Sequence, residues 1–517
     1  MPLLGSLIKS AYALRNMPEE MKKNRINPVA AQKKQLVKLL RKAQFTSFGE
    51  HYKFTKLLSS GNVVKAFQES VPVHDYKAMY KRWWYRALNG EPYVTWPGKV
   101  KYFALSSGTS EASSKYIPVT GDMLKGIKRA SVRQLVSMVR YGFPLDFYEK
   151  GMLMIGGSTH LQYNGTYYEG DLSGITAGNI PFWFQHFYKP GKRISKTTDW
   201  ASKLNEMVRK APQWDIGVIV GVPAWVQILM ERIIEEYNVE TIHDIWPNLK
   251  VYVHSGVSFA PYQKSFEKLF SKPMMYNESY LASEGYIAFQ NRLNTKGMDM
   301  VLDNGIFYEF VPFNENNFDD DGNIFDNPET LTLDEVVENK EYALLMSTNA
   351  GAWRYLIGDT VKFIDKRYAE IQITGRTKHF LSICGEHLSQ ENMNRAIELL
   401  QHDLNIEVKE FTVMAFRYKG MFAHRWYIGT ESKIDKNIIA EKIDEYLKNL
   451  NDDYRVERLE AIKAVFVEIL PPSAFLQYMK MKGKEGSANK FPRVLKNRRI
   501  DEWETFLADN NYISKRK

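Results

Sequence analysis

The sequence predicts an α/β fold in two domains, and three observations carry that prediction. At 517 residues the chain exceeds what one hydrophobic core ordinarily organises, so a large and a small domain are expected. Between residues 214 and 290, β-branched runs close on small-residue turns and give way to helical pattern, as in α/β layers with parallel strands. From about Phe380 the pattern becomes helix, strand, strand, helix, strand, which reads as a separate small α+β domain. The boundary is set at 1–375 and 376–517.

Each element follows from its residues. In MPLLGSLIKSAYALRN, the residues Leu4, Leu7, Ile8, Ala11 and Leu14 share one helical face and are expected to dock on the body. The stretch is too short and too interrupted for a signal peptide. KKQLVKLLRKA, 33–43, reads as a second amphipathic helix ending near Phe48-Gly49, and 73–86 as helical with core aromatics. Glu91-Pro92-Tyr93 and Trp96-Pro97-Gly98 break the chain. Tyr102 to Leu105 is a strand, followed by Ser106, Ser107, Gly108, Thr109 and Ser110, and then by Lys115. Such a turn leaves backbone N–H groups and hydroxyls unshielded, which suits phosphate oxygens, and Lys115 adds a point charge. The same stretch reads equally as a Ser-rich surface loop. It is not a Walker loop, because Ser114 precedes Lys115 and Tyr116 follows it.

A long helix is expected over 121–141, then a buried strand, Met152 to Ser158, closing on Gly156-Gly157. Tyr163 to Gly178 has no clean period and reads as a long surface or lid loop. IGVIVGVPAW is a strand followed by Pro223 at a helix start, the helix running to about Tyr237. LKVYVHSGVSFAPY repeats the idea, with Ser255-Gly256 at the turn and a helix from Pro261; MMYNESYLASEGYIAF repeats it again around Ser283-Glu284-Gly285. Ligands in such folds sit beyond the strand C-termini, where these turns collect. After residue 290, GIFYEFVPF alternates strictly and reads as an antiparallel strand, and YALLMST, WRYLIGDTVKFID and YAEIQITGR supply more strands. Between them, Asn317, Asp319, Asp321 and Gly322 imitate the start of a calcium loop, but Pro328 stands where the closing Glu belongs. In the small domain, helices are expected near 390–401 and 434–449 and strands near 408–416, 423–430 and 462–468. A Gly/Lys-rich loop and a short terminal helix follow.

Composition narrows the function. With 44% apolar and 25% charged residues the chain is globular, and no window offers about 18 uninterrupted apolar residues. One cysteine excludes an internal disulfide framework and a cysteine metal cluster, and fits a reducing cytoplasm. The sequon Asn164-Gly165-Thr166 then carries no meaning. Net charge is +10, concentrated at the ends: ten Lys and Arg against two Glu in 1–42, eleven against five acids in 474–517. A nucleic-acid groove would need a basic face interleaved with aromatics, so no nucleic acid is expected, while a polyanionic small substrate remains compatible.

Four features now line up: the Ser/Thr/Gly loop, Ser283-Glu284-Gly285, the stretch from Tyr355 to Gly358-Asp359, and Gly375-Arg376. Together they resemble the adenylate-forming superfamily, and the chain more closely resembles the bacterial branch of the GH3 family of acyl acid–amido synthetases. The resemblance covers nearly the whole chain, including VPVHDYKAMY, TWPGKVKYFALSSGTS, AGAWRYLIGDTVKF and HFLSICGEHLSQENM. It implies a large N-terminal adenylation domain, layered α/β with an additional β-barrel-like subdomain, and a small mobile C-terminal cap. It further implies a cytoplasmic, monomeric, magnesium-dependent ligase that adenylates a small carboxylic acid with ATP and joins it to an amino acid, with no membrane partner.

By the same resemblance, Ser106, Ser107, Gly108, Thr109, Ser110 and Lys115 would hold the β- and γ-phosphates. Glu284 would carry Mg2+, and Ser283 would donate to the α-phosphate or the acyl carboxylate. Asp359 would take the ribose hydroxyls, Tyr280 would lie against adenine, and Ser255, Gly256 and Val257 would line its edge. Arg376 would reach ribose or phosphate, Lys378 stands at the hinge position, and Lys490, in a Lys-Phe-Pro-Arg stretch, would neutralise the α-phosphate. Each has a plainer alternative: a helix-capping carboxylate for Glu284, a turn Asp for Asp359, a core aromatic for Tyr280, a loop cation for Lys490. Two departures from plant members stand out. Ala112 replaces a second loop Gly, and Cys384-Gly385-Glu386-His387 replaces acidic residues and a Lys. His387 is a candidate base for the attacking amine, or a satisfied junction histidine. Cys384 has no base beside it in the sequence. The acyl pocket candidates are the Tyr163–Tyr168 loop, Val222-Pro223-Ala224-Trp225 and Tyr252. Transfer to coenzyme A, and a non-catalytic nucleotide-binding protein, stay open as alternatives.

Overall fold

Asn27 starts the first described helix, α1 (Pro28–Ala43): its side chain accepts from the N–H groups of Val29 and Ala30, and Pro28 takes the first position. The structure is a computed structural model that describes residues 27–106, 115–180, 184–256, 259, 262–293, 295–319, 322–377, 381, 388, 390–419, 421–451, 454–455, 458, 462–483, 491–495 and 498–513. The helix expected at Leu4–Leu14 lies outside these. The chain divides into two units. One runs through Gly256 and adds Ser271–Asn317 and Phe325–Ile373; the other takes 257–270, 318–324 and everything from Thr374.

In the first unit α1 buries Leu36, Leu39 and Leu40. Its Gln32 donates to the carbonyls of Leu302 (2.9 Å) and Ile306 (3.1 Å) and accepts from the Tyr308 N–H (2.8 Å). Residues 76–88 are helical with a π-turn at Tyr80–Trp84. Then follow β1 (Tyr102–Ser106), β2 (Lys115–Val119), α2 (Gly121–Ser137), β3 (Gly151–Ile155), β4 (Gln162–Tyr163), β5 (Tyr168–Gly170) and α3 (Leu172–Gly178). The long loop expected over 163–178 is therefore two short strands and a helix. Its small polar residues conceal an N-cap: Asp171 accepts from the Ser173 N–H at 2.9 Å and starts α3.

The unit continues with β6 (Tyr188–Lys189), α4 (Trp200–Lys210), β7 (Ile216–Gly221), α5 (Pro223–Tyr237), β8 (Val251–Ser255), β9 (Met275–Ala282), β10 (Gly285–Phe289) and β11 (Met298–Met300). It ends with β12 (Ile306–Pro312), β13 (Glu341–Thr348), β14 (Tyr355–Asp365) and β15 (Glu370–Arg376), the last crossing into the second unit. Strands β2-β1-β5-β4 form one sheet. The other has the order β12-β13-β14-β15-β11-β10-β9-β8-β7-β3-β6. Its β6 to β9 half is parallel, as the sequence predicts, and its other half is antiparallel where pairing is described. One expectation is corrected. After Ser283-Glu284 the chain does not enter a helix; it folds back as β10, pairing antiparallel with β9. The run GYIAF is buried at every position, and a short apolar run has no period that separates strand from helix.

The second unit is built on β16 (Glu410–Tyr418), β17 (Met421–Gly429) and β18 (Ile462–Leu470). The β16–β17 pair is antiparallel and the β17–β18 pair parallel. One core gathers Met393, Ile397, Leu400, Trp426, Ile443 and Leu447 from the helices 390–404 and 436–450 and the sheet. A second gathers Tyr427, Phe475, Phe491 and Trp503 with the helices 472–481 and 498–509. Arg493 is buried there, bonded to the Glu410 carboxylate and the Phe411 carbonyl.

Candidate active site

The site is built from the ends of three structures in the first unit: the β1–β2 hairpin, the β9–β10 hairpin and a bulge in β14. In the first, Ser106 and Lys115 face each other at the mouth of the hairpin. The Lys115 ammonium lies 5.4 Å from the Tyr76 ring, and the Tyr76 hydroxyl oxygen accepts from the Tyr116 N–H at 2.9 Å. At the other end Thr120 caps α2, accepting from the Met123 N–H, and donates to the Asn349 carbonyl at 2.6 Å. Ser107, Gly108, Thr109 and Ser110 lie outside the described residues.

The second hairpin turns at Ser283-Glu284. Glu284 is 7% exposed, an acid withdrawn from water at the tip of a turn. Gly285 has φ 151°, a conformation that residues with a side chain rarely adopt, and a Cβ there would press on the end of the Ile306 side chain at 2.8 Å, so the return favours glycine. Behind β9, on the face carrying Asn277 and Ser279, a buried polar network holds the hairpin to α2. Gln134 donates to Asn277 (2.8 Å), Tyr286 to Gln134 (2.6 Å) and Asn277 to Tyr141 (2.7 Å).

Asp359 follows Gly358, whose φ is 89°, where the β13–β14 register shifts between Ala343 and Leu345. The bulge turns its carboxylate to the Tyr280 hydroxyl, which donates to Oδ2 at 2.5 Å. Strands β14 and β9 are separated by β15, β11 and β10. Flat, that separation would be roughly 19 Å, beyond the reach of the two side chains. The sheet therefore curls until its antiparallel half returns to the parallel half, and the two motifs meet inside the curl.

Ser255 ends β8 and Gly256 follows with φ 89°, next to the β9 strand that carries Tyr280. Val257, Lys378, Cys384, His387 and Lys490 lie outside the described residues. Arg376 ends β15 and belongs to the second unit. Of the acyl-pocket candidates, Trp225 meets Trp200 edge to face at 4.5 Å, and Tyr252 donates to the Gly221 carbonyl at 3.0 Å. Tyr163 and Tyr168 pack at 4.8 Å in the sheet that contains β1.

Sequence reasoning passes over two residues of this neighbourhood. His254 on β8 pairs in register with Glu278 on β9, so both point to the face that carries Tyr280. Burial holds the His254 imidazole down to about 4, and withdrawal from water pushes the Glu278 carboxyl up to about 7. The available signal was spacing alone: Glu278 stands two residues before Tyr280 on a strand.

The fold is that of known ligases. An AtGH3.15 acyl acid amido synthetase in complex with 2,4-DB matches with a TM-score of 0.76, covering 97% of this chain and 96% of that one at 17% identity. 2-Hydroxyisobutyryl-CoA ligase in the postadenylation state matches with a TM-score of 0.59, covering 93% and 91% at 13% identity. The model of the GH3 family N-terminal domain matches residues 18–207 and 158–275, that of the central domain 299–376 and that of the C-terminal domain 391–499. The chain belongs to the GH3 family. A probable indole-3-acetic acid-amido synthetase, GH3.9 of Oryza sativa subsp. japonica, is 23% identical over 267 residues, 47% of this chain and 58% of that protein. The chain spans about half the length of the curated relatives it matches.

Proposed function

We propose that the protein is an ATP-dependent ligase that adenylates a carboxylic acid and passes the acyl group to the amine of an amino acid. The observation that carries this reading is the Tyr280–Asp359 hydrogen bond, which joins residues 79 apart in the chain, one on β14 and the other on the strand that leads into Ser283 and Glu284. One carboxylate oxygen attacks the α-phosphorus of ATP, and pyrophosphate leaves. The amine nitrogen then attacks the acyl carbon and loses a proton, and AMP departs with the original carboxylate oxygen. Both reactants of the first step are anions, so the site must supply positive charge and oriented donors. Lys115, Ser106 and the loop Ser107, Gly108, Thr109 and Ser110 serve the β- and γ-phosphates. Asp359 accepts from the ribose hydroxyls, Tyr280 and the Ser255–Val257 segment flank the base, and Ser283 donates to the acyl carboxylate or α-phosphate. Arg376, Lys490 and His387 act from the C-terminal portion, His387 as base for the amine.

The donor set fits Mg2+. Glu284 is a buried hard-oxygen ligand, and no group of three or more His, Cys, Asp or Glu residues that could hold a metal occurs among the described residues. Mg2+ is commonly held by one or two carboxylates together with substrate phosphates. Bound there, it would neutralise charge on the phosphates. Among the described residues no helix is long and apolar enough to cross a membrane. We place the enzyme in the cytoplasm, as a monomer acting on small molecules.

The test is ATP–pyrophosphate exchange over a panel of carboxylic acids, then AMP release with mixed amino acids or coenzyme A. Acid-dependent exchange and amine-dependent AMP release are expected. AMP release with coenzyme A and with no amine would replace the reading with thioester formation. ATP binding without exchange for any acid would replace it with a nucleotide-binding protein.

A further inference from the structure

Pairing within the β9–β10 hairpin does not by itself fix where its tip points. Tyr280 pairs with Ala288 and Leu281 with Tyr286, so Ile287 has no partner across the strands. Such a bulge re-aims the chain beyond it, and beyond it lie Ser283 and Glu284. A slip of one residue there would turn each side chain above the bulge to the opposite face. One side chain from outside the hairpin bonds both strands, below the bulge and above it. Gln134, 8% exposed on α2, donates to Asn277 on β9 and accepts from the Tyr286 hydroxyl on β10.

The direction of each bond is dictated by its neighbours. The Gln290 carbonyl can only accept, so it takes one proton of Asn277 Nδ2 (2.8 Å), and the Tyr141 hydroxyl oxygen takes the other (2.7 Å). Asn277 Oδ1 is therefore the acceptor that faces the Gln134 nitrogen, at 2.8 Å. Gln134 Oε1 is left to accept from Tyr286, at 2.6 Å. A glutamate at this position would set an oxygen against Asn277 Oδ1. A methionine would fill the space but leave two buried polar groups unpaired.

The other end of α2 continues the β1–β2 hairpin. Strand β2 runs from Lys115 to Val119, Thr120 caps, and α2 starts at Gly121. Gln134 lies about 20 Å along the helix. This rod is kept from sliding at two points. Arg133 donates to both oxygens of Asp303 (2.5 and 2.6 Å), and Gly126 packs so closely on Asn304 that a Cβ there would collide with its carbonyl oxygen. On the adenylation reading, on which this inference rests, Lys115 meets the phosphates and Glu284 carries the metal ion that they share. We infer that Gln134 is a positioning residue for Glu284: it locks the bulged hairpin to the helix that continues from Lys115, and so sets the metal carboxylate relative to the phosphate cation.

The test counts bound metal. Mn2+ is titrated into the full chain saturated with a non-hydrolysable ATP analogue, and free Mn2+ is read by electron paramagnetic resonance. Gln134→Met and Tyr286→Phe are expected to hold Mn2+ about tenfold more weakly than wild type, while all three bind the analogue alike in EDTA. Gln32→Met controls for stability: Gln32 also donates and accepts in the core, but between α1 and β12, and its loss should leave Mn2+ affinity unchanged. Half-saturating Mg2+ in pyrophosphate exchange should rise in step with the Mn2+ constant, with the acid KM unmoved. Should Gln134→Met fail to fold, Tyr286→Phe, short of one hydroxyl, decides. Undiminished Mn2+ affinity in the folded variants, or an equal loss in Gln32→Met, overturns the inference and leaves the adenylation reading standing. Undiminished affinity in Glu284→Gln overturns the metal assignment and the inference together. Absence of exchange by wild type with every acid overturns the adenylation reading as well.

Discussion

Replacing Tyr280 with phenylalanine removes one hydroxyl and tests whether the Tyr280–Asp359 contact prepares a nucleotide site. The bond is 2.5 Å long and joins a neutral donor to a carboxylate. Hydrogen bonds to charged groups contribute about 1.5–3 kcal/mol net. Tyr280 is 6% exposed while Asp359 is only partly buried, so water recovers part of the loss on the Asp359 side. A residual effect of about 1–2 kcal/mol corresponds to a five- to thirtyfold change in an equilibrium constant. The expected result is a KM for ATP raised by that factor in pyrophosphate exchange, with kcat within about threefold, because the ribose is held alike in ground and transition states. The KM for the carboxylic acid should not move. Asp359→Asn should raise the ATP KM further. A Tyr280→Phe enzyme with lowered unfolding stability and an unchanged ATP KM would show the contact to be a latch between strands, and the reasoning would fail.

Two further outcomes follow from buried charge. Arg354 is 4% exposed at φ 42°; its Nε donates to both Glu309 oxygens (3.1 Å each) and its Nη1 to the carbonyls of Gln68 (2.7 Å) and Val71 (2.6 Å). Arg354→Met should cost about 3–5 kcal/mol in urea unfolding, because it strands a buried carboxylate, and Glu309→Gln in the same chain should restore much of it. The second outcome concerns pH. His74 and His254 are both held down to about 4, against an ordinary 6.5. Below about 6.5 the unfolded chain takes up protons that the folded chain refuses, so stability is full above that pH and drains towards 4, by up to about 3 kcal/mol per histidine. Glu278 runs the other way. The unfolded chain ionises near 4.5 and the folded chain only near 7, so Glu278→Gln should add up to about 3 kcal/mol at pH 8 and nothing at pH 4. Urea denaturation at the two pH values checks this.

The parallel strands were legible because a β-branched run such as Ile216 to Gly221, closed by a breaker and Pro223, has one sensible local reading. The small sheet and its helices were legible for the same reason. The β9–β10 hairpin was not, since Gly285–Phe289 is buried on both faces and lacks a period. Strand β12 alternates in sequence, yet all but its last residue are buried, because the sheet is covered on both sides there. The motif residues Glu284 and Asp359 could be picked out, but not their placement. Tyr280 meets Asp359 only through a curl that spans five strands and no local pattern encodes. Glu278 was passed over because a lone acid in a strand ordinarily marks a solvated face; the level placement with His254 and the withdrawal from water emerge only on folding.

The most direct test of the central claim follows an oxygen atom. A carboxylic acid that supports exchange is labelled with 18O in its carboxylate and turned over with ATP and an amino acid. The account predicts one 18O in each AMP released and none in pyrophosphate. Label in inorganic phosphate or pyrophosphate, with unlabelled AMP, would contradict it.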